Sequence, residues 1–129
     1  MSDAERDELL RLTERLLESI ATADWATYEE LCDPALTAFE PEGRGHLIEG
    51  MDFHRFYFDL GPSAGPRHTT MVAPTVRLMG DVAVVMYVRL IQSAGEASGP
   101  KTSAYEETRV WQKQQGRWRH VHFHRSRCE

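Results

Sequence analysis

Apolar residues recur every three to four positions at the start of the chain. Leu9, Leu12, Leu16 and Ile20 share one face and Leu10 and Leu17 widen it, which predicts an amphipathic helix over residues 3–22. Ser2 followed by Glu5 is a capping-box pattern at its start. Asp24 is placed to cap a second, short helix carrying Trp25, Tyr28 and Leu31. That helix ends at Cys32-Asp33-Pro34, because the residue before a proline is pushed out of helical geometry. Ala35 to Glu40 then reads as a strand, Pro41, Gly43 and Gly45 as a turn, and His46-Leu47-Ile48 as a short strand. A third helix is predicted from Glu49 to Leu60, closed by the breaker Gly61-Pro62-Ser63-Ala64-Gly65-Pro66. Four strand-like runs follow, at about 67–79, 82–92, 102–114 and 117–126. Gly80-Asp81 and Gln115-Gly116 supply tight hairpin turns, and Ser93 to Lys101 is a longer, mobile Gly/Ser/Pro-rich connection. The order ααββα followed by a four-strand meander predicts an α+β fold, a curved antiparallel sheet wrapping helices.

Two segments carry more than fold information. In the third helix Phe53, Phe56, Tyr57 and Leu60 cover one face, while Met51, His54 and Phe58 cover another arc. A helix apolar nearly all round is buried on more than one side. Either the curved sheet engulfs it, or Phe53, Phe56, Tyr57 and Phe58 form a contact with another subunit. The run from Val82 to Ile91 is apolar on both faces, as in a central strand, yet Arg89 interrupts it. Arg109, in line with Glu107 and Trp111, and Arg125, in line with Val121 and Phe123, repeat the motif. A desolvated guanidinium needs a partner. The three either converge on a bound anion, which arginine grips bidentately when it is a carboxylate, or each pairs with a local acid such as Glu107 or Glu40.

Composition narrows the class. The chain has 129 residues, enough for one domain with its own core, so residues 1–129 read as a single unit. Its longest apolar run, Val82 to Val88, is too short for a membrane span, and the charged N-terminus lacks the apolar stretch of a secretory signal. Cys32 and Cys128 form no closely spaced pair, which suits free thiols in a reducing, cytoplasmic setting. Residues 1–59 carry 15 acidic and 5 basic side chains and residues 60–129 carry 5 and 10, so the net charge of −5 divides into −10 and +5. The basic residues are scattered along strands rather than clustered, which argues against nucleic acid and for charge-complementary self-association. His120, His122 and His124 alternate as though on one strand face, but no further ligand completes a zinc site, and neither metal nor cofactor is expected. Motifs of kinases, P-loops and dinucleotide folds are absent from the sequence. His54 with Asp52 or Glu49 is a possible acid/base pair, so an isomerase- or dehydratase-like enzyme acting on an anionic substrate, with His54 as base, stands as the alternative function.

Several blocks together resemble the association (hub) domain of calcium/calmodulin-dependent protein kinase II. They are Cys32-Asp33-Pro34 with Leu36 to Glu42, Glu49 to Phe58, His68-Thr69-Thr70, Glu106 to Trp111, and Gly116-Arg117-Trp118 with Val121 to Ser126. The resemblance runs from about residue 7 to 126. It implies a nuclear transport factor 2-like cone and dimers stacked into a closed two-tiered homo-oligomeric ring of roughly 12 to 14 subunits or more. In that family the domain follows a kinase and a calmodulin-binding segment, so kinase-bearing subunits are implied partners. It also implies an arginine-lined cavity for small carboxylates, whose residues correspond here to Tyr28, His54, Arg89, Arg109 and Arg125, without catalysis. The loop after Phe58 is shorter than in animal members and lacks the aromatic expected there, and the Ser93–Lys101 loop also differs.

Overall fold

A computed structural model describes residues 2–95 and 99–128 of the chain. Helix α1 spans Asp3–Ala21, with Ser2 Oγ accepting from the Glu5 amide at 3.1 Å and donating to the Glu5 carboxylate. Its buried stripe is Leu9, Thr13, Leu16 and Leu17, and the Thr13 hydroxyl is satisfied by the Leu9 carbonyl at 2.8 Å. Helix α2 spans Trp25–Leu31 and is capped by Asp24, whose carboxylate accepts from both the amide and the hydroxyl of Thr27.

Strand β1 runs Cys32–Phe39, earlier than expected, and includes Pro34. Proline is tolerated there because the ladder is irregular between Cys32 and Thr37, where an Asp33 side chain accepts from the Ala35 amide instead. A single 3-10 turn, Pro41–Gly43, leads to β2, Ile48–Glu49. Glu49 thus belongs to a strand, and Gly50 turns the chain with a φ of 81°. Helix α3 consequently begins later than its sequence pattern, at Asp52, and ends at Asp59.

The remaining strands are β3 (Arg67–Met79), β4 (Val82–Ser93), β5 (Lys101–Gln114) and β6 (Arg117–Arg127). Of the connection between β4 and β5, residues 96–98 lie outside the described residues. The sheet order is β2-β1-β6-β5-β4-β3, so β4 is internal, as its two apolar faces require. Neighbours are antiparallel except β1 and β6, which run parallel and join the first half of the chain to the last strand. Bulges interrupt β3 at Ala73-Pro74 and β6 at Val121, bending the sheet around the helices. Helix α1 packs on β3 and β4, and α2 on β1 and β6. Between them lies the core, with Leu9, Leu16, Leu36, Ala83, Val85 and Trp111 wholly removed from solvent.

Candidate functional site: a cavity of paired arginines

Strand periodicity of two explains how the inner face is stocked. Strand β4 contributes Tyr87 and Arg89, β5 contributes Glu107 and Arg109, and β6 contributes Phe123 and Arg125. Helix α2 adds Tyr28 and α3 adds His54, the one residue of that helix that is fully buried. All of these except Tyr87 and Glu107, which are bonded to the arginines, line a cavity of about 540 Å³ whose apolar wall includes Phe58 and Phe123 and whose lining also carries the exposed Arg67. Tyr28, His54, Arg89, Arg109 and Arg125 therefore share one site.

The guanidiniums do not stand free. Glu107, with no exposed side-chain surface, lies among all three. Its Oε1 accepts from the Tyr87 hydroxyl at 2.7 Å and from Arg109 Nη2 at 3.1 Å, and its Oε2 lies 3.4 Å from Arg89 Nη1 and 3.6 Å from Arg125 Nε. Burial alone would raise the Glu107 pKa, but Arg109, Arg89 and the Tyr87 hydrogen bond outweigh it and hold the carboxyl below its ordinary value. Arg109 is fully committed: Nε donates to the Tyr87 hydroxyl at 2.9 Å, Nη1 faces His120 Nε2 at 3.5 Å, and the guanidinium lies 4.5 Å from the Phe123 ring centre. Burial opposes its charge, yet Tyr87 and Glu107 more than offset that and raise its pKa. Arg125 Nη1 donates to Glu42 at 2.8 Å and to Glu40 at 3.3 Å, while its guanidinium rests 4.3 Å from the Tyr105 ring.

Arg89 is different. Burial pushes its pKa down against the pull of Glu107, and among the described residues its one ion-pair contact is long and its buried Nε, like that of Arg125, has no hydrogen-bond partner. His54 Nδ1 lies 3.3 Å from Glu40, and its buried Nε2 is likewise unpartnered among the described residues. A cavity lining that mixes guanidiniums with the rings of Phe58 and Phe123 suits a small molecule with an anionic end. The carboxylate beside His54 is that of Glu40, not Asp52 or Glu49: Glu49 is exposed on β2, and Asp52, two residues before His54 on α3, is exposed on another face of the helix.

The histidine alternation is not kept. The bulge at Val121 pairs Val110 with His122 but Trp111 with His120, so the strand slips by one residue. His120 turns inward and is buried between Arg109 and Cys32, whose Sγ lies 3.4 Å from its Nδ1, while His122 bonds Thr37 on the opposite face and His124 is exposed. The three do not share a face, and no group of three metal-binding side chains occurs among the described residues. Burial holds the Cys32 thiol up at about 12, so it is an inert packing group.

The four aromatics of α3 also separate. Phe58 packs into the chain's own core, 4.7 Å from Tyr28 and 5.2 Å from Trp25, and Phe53 is half-buried against His54. Phe56 is 62% exposed, with Tyr57 and Leu60 beside it also exposed, so the sheet does not engulf the helix. Two site residues carried no weight in the sequence reading. Tyr87 was signalled by its place two residues from Arg89, whereas Glu42 reaches Arg125 only because the 3-10 turn folds it back.

Comparison with known proteins places this geometry in a family. The model of the calcium/calmodulin dependent protein kinase II association domain matches residues 5–129. The delta subunit of calcium/calmodulin-dependent protein kinase type II from Oryctolagus cuniculus is 50% identical over 126 residues, which cover 95% of this chain and 24% of that protein. The chain thus spans about a quarter of the length of that relative. The solved association domain of C. elegans CaMKII superposes with a TM-score of 0.90 at 48% identity, covering 95% of each chain. A nuclear transport factor 2-like superfamily protein from Salmonella enterica shares the fold, with a TM-score of 0.77 at 23% identity, covering 95% of this chain and 90% of that one.

Proposed function

Because the chain belongs to the calcium/calmodulin-dependent protein kinase II association-domain family, we propose that it is an oligomerisation module assembling with its own copies into a stacked, two-tiered ring. The observation that carries this reading is α3: one arc is buried by the chain itself, while Phe56, Tyr57 and Leu60 are left uncovered side by side. Apolar side chains grouped on one helix face are the kind of surface a subunit contact removes from water. The −10 and +5 halves of the sequence supply complementary charge for such contacts. In the full-length setting suggested by the longer relative, the ring gathers kinase-bearing subunits. Native mass spectrometry at moderate salt tests the assembly: a discrete multimer supports it, and a stable monomer at micromolar concentration sinks it.

The same proposal assigns the cavity to a small carboxylate held by Arg89 and Arg125, supported by the unpartnered Nε of Arg89 and the apolar wall of Phe58 and Phe123. The Glu40–His54 pair, on a residue of the cavity lining, favours a second reading as a cone-fold enzyme with His54 as base. Turnover of any bound acid separates the two, since the hub reading requires release of the ligand unchanged.

A further inference from the structure

Three of the guanidiniums at the cavity, on Arg89, Arg109 and Arg125, are already paired with three carboxylates, on Glu40, Glu42 and Glu107, while a further one on the lining, Arg67, is exposed and donates to Ser63. The paired cluster is balanced before any ligand enters. An incoming carboxylate that joins this cluster therefore adds a negative charge to it unless one resident carboxylate leaves. The three differ greatly in their freedom to do so. The Glu107 side chain is wholly buried and bonded to Tyr87 and Arg109, and that of Glu40 is 11% exposed and also braces His54. The Glu42 side chain is 34% exposed, and among the described residues its polar partner is Arg125, at 2.8 and 3.2 Å. It is carried by the 3-10 turn Pro41–Gly43, which has no side-chain cap and is followed by Arg44 and Gly45, both at positive φ.

We propose that Glu42 is an internal competitor for the cavity: its carboxylate holds the place on Arg125 that a ligand carboxylate takes, and binding swings Glu42 out to water. This rests on the carboxylate-cavity reading above and adds to it a residue that sets affinity. With Glu42 displaced, a single carboxylate bridges Arg125 and Arg89, and the charge count of the paired cluster returns to balance. The displaced pair is partly exposed, so the opposing term is that of a surface ion pair, corresponding to about a threefold to fivefold effect on affinity.

Benzoate, a monocarboxylate with an apolar body suited to Phe58 and Phe123, serves as the probe in titration calorimetry on the assembled protein. Glu42→Gln is expected to bind it about threefold to fivefold more tightly than the wild type, and Arg89→Gln at least about tenfold more weakly. Binding detectable only in Glu42→Gln also supports the competitor. Unchanged or weaker binding in Glu42→Gln, alongside the loss in Arg89→Gln, overturns the competitor and leaves the carboxylate cavity standing. Absence of binding in both the wild type and Glu42→Gln overturns the carboxylate cavity itself, and the competitor with it.

Discussion

Glu107 and Arg109, two residues apart on β5, meet at 3.1 Å on the inner face of the sheet with almost no side-chain surface exposed. An i, i+2 pair on a strand shares a face, so the contact follows from the sequence once that face is known. What makes it costly to disturb is that Glu107 also faces Arg89 and Arg125. Glu107→Gln would leave buried guanidiniums without their shared counter-charge, and a loss of about 3–5 kcal/mol is expected. Urea unfolding measures it; a loss under about 1 kcal/mol would mean that the arginines find other partners.

Tyr87 bridges the same pair, donating to Glu107 at 2.7 Å and accepting from Arg109 at 2.9 Å. Tyr87→Phe keeps the ring and removes both bonds. Because each bond involves a charged partner, the expected cost is about 1.5–3 kcal/mol, measurable by urea unfolding, with the sheet retained by circular dichroism. A near-neutral variant would show that water replaces the hydroxyl.

Acid should unfold the protein in two stages. Burial, reinforced by Arg109, holds the His120 pKa well below its ordinary value. The neutral ring is therefore favoured by folding: its contribution is complete above the unfolded pKa of about 6.5 and is lost as pH falls below it. The half-buried His122 shifts in the same direction and adds a smaller part. Glu107 is also lowered, so its contribution is complete above the ordinary glutamate value of about 4.3 and is lost as pH falls through its folded pKa. Urea midpoints followed downward from pH 7.5 at fixed protein concentration should fall first below about 6.5 and again below about 4.3. His120→Gln should flatten the first stage only; an unchanged slope there would assign it to another group.

The order of elements was readable because each has a strong local cause: the leucine stripe of α1, the Asp24 cap, the proline-glycine breaker after α3 and the hairpin turns. The arginines were readable because a charge inside an apolar strand has few explanations. Three things were not. The bulge at Val121 reverses the facing of His120 with no glycine or proline to announce it. The parallel pairing of β1 with β6 joins segments more than 80 residues apart, and no local pattern encodes it. Gly50 delays α3 because it is needed at positive φ between β2 and the helix, while the apolar pattern runs on through both.

The β5–β6 hairpin closes with Gln115 at φ 51° and Gly116 at φ 79°, the two positive values of a type I′ turn. Glutamine is a poor occupant of the first position, since a side chain in the left-handed region crowds its own backbone. Gln115→Asn, which tolerates that region, should stabilise the protein by about 0.5–1 kcal/mol without changing the register of Gln114 with Arg117. Thermal unfolding at fixed concentration checks it, and a destabilised variant would mean that the Gln115 side chain makes a contact in the assembly.

Phe56 separates assembly from folding. Its side chain is largely exposed in the isolated chain and packs edge-on against Tyr57, 5.2 Å between ring centres, while α3 is anchored from its other side by His54 and Phe58. Phe56→Asp should therefore leave the fold of the single chain within about 0.5 kcal/mol of the original. In an apolar contact between subunits the same change buries an unpaired carboxylate, which the contact does not survive at micromolar concentration. Light scattering should show the variant falling from a discrete multimer to monomers or dimers, while the circular dichroism spectrum is retained. A multimer of undiminished mass would place the subunit contact elsewhere, with the half-buried outer residues of β4, Val84, Met86 and Val88, the next surface to test. A collapse of the fold would instead mean that the isolated chain does not stand without its neighbours. Those two failures are read by different instruments on one sample, so the variant returns an answer about α3 in either case.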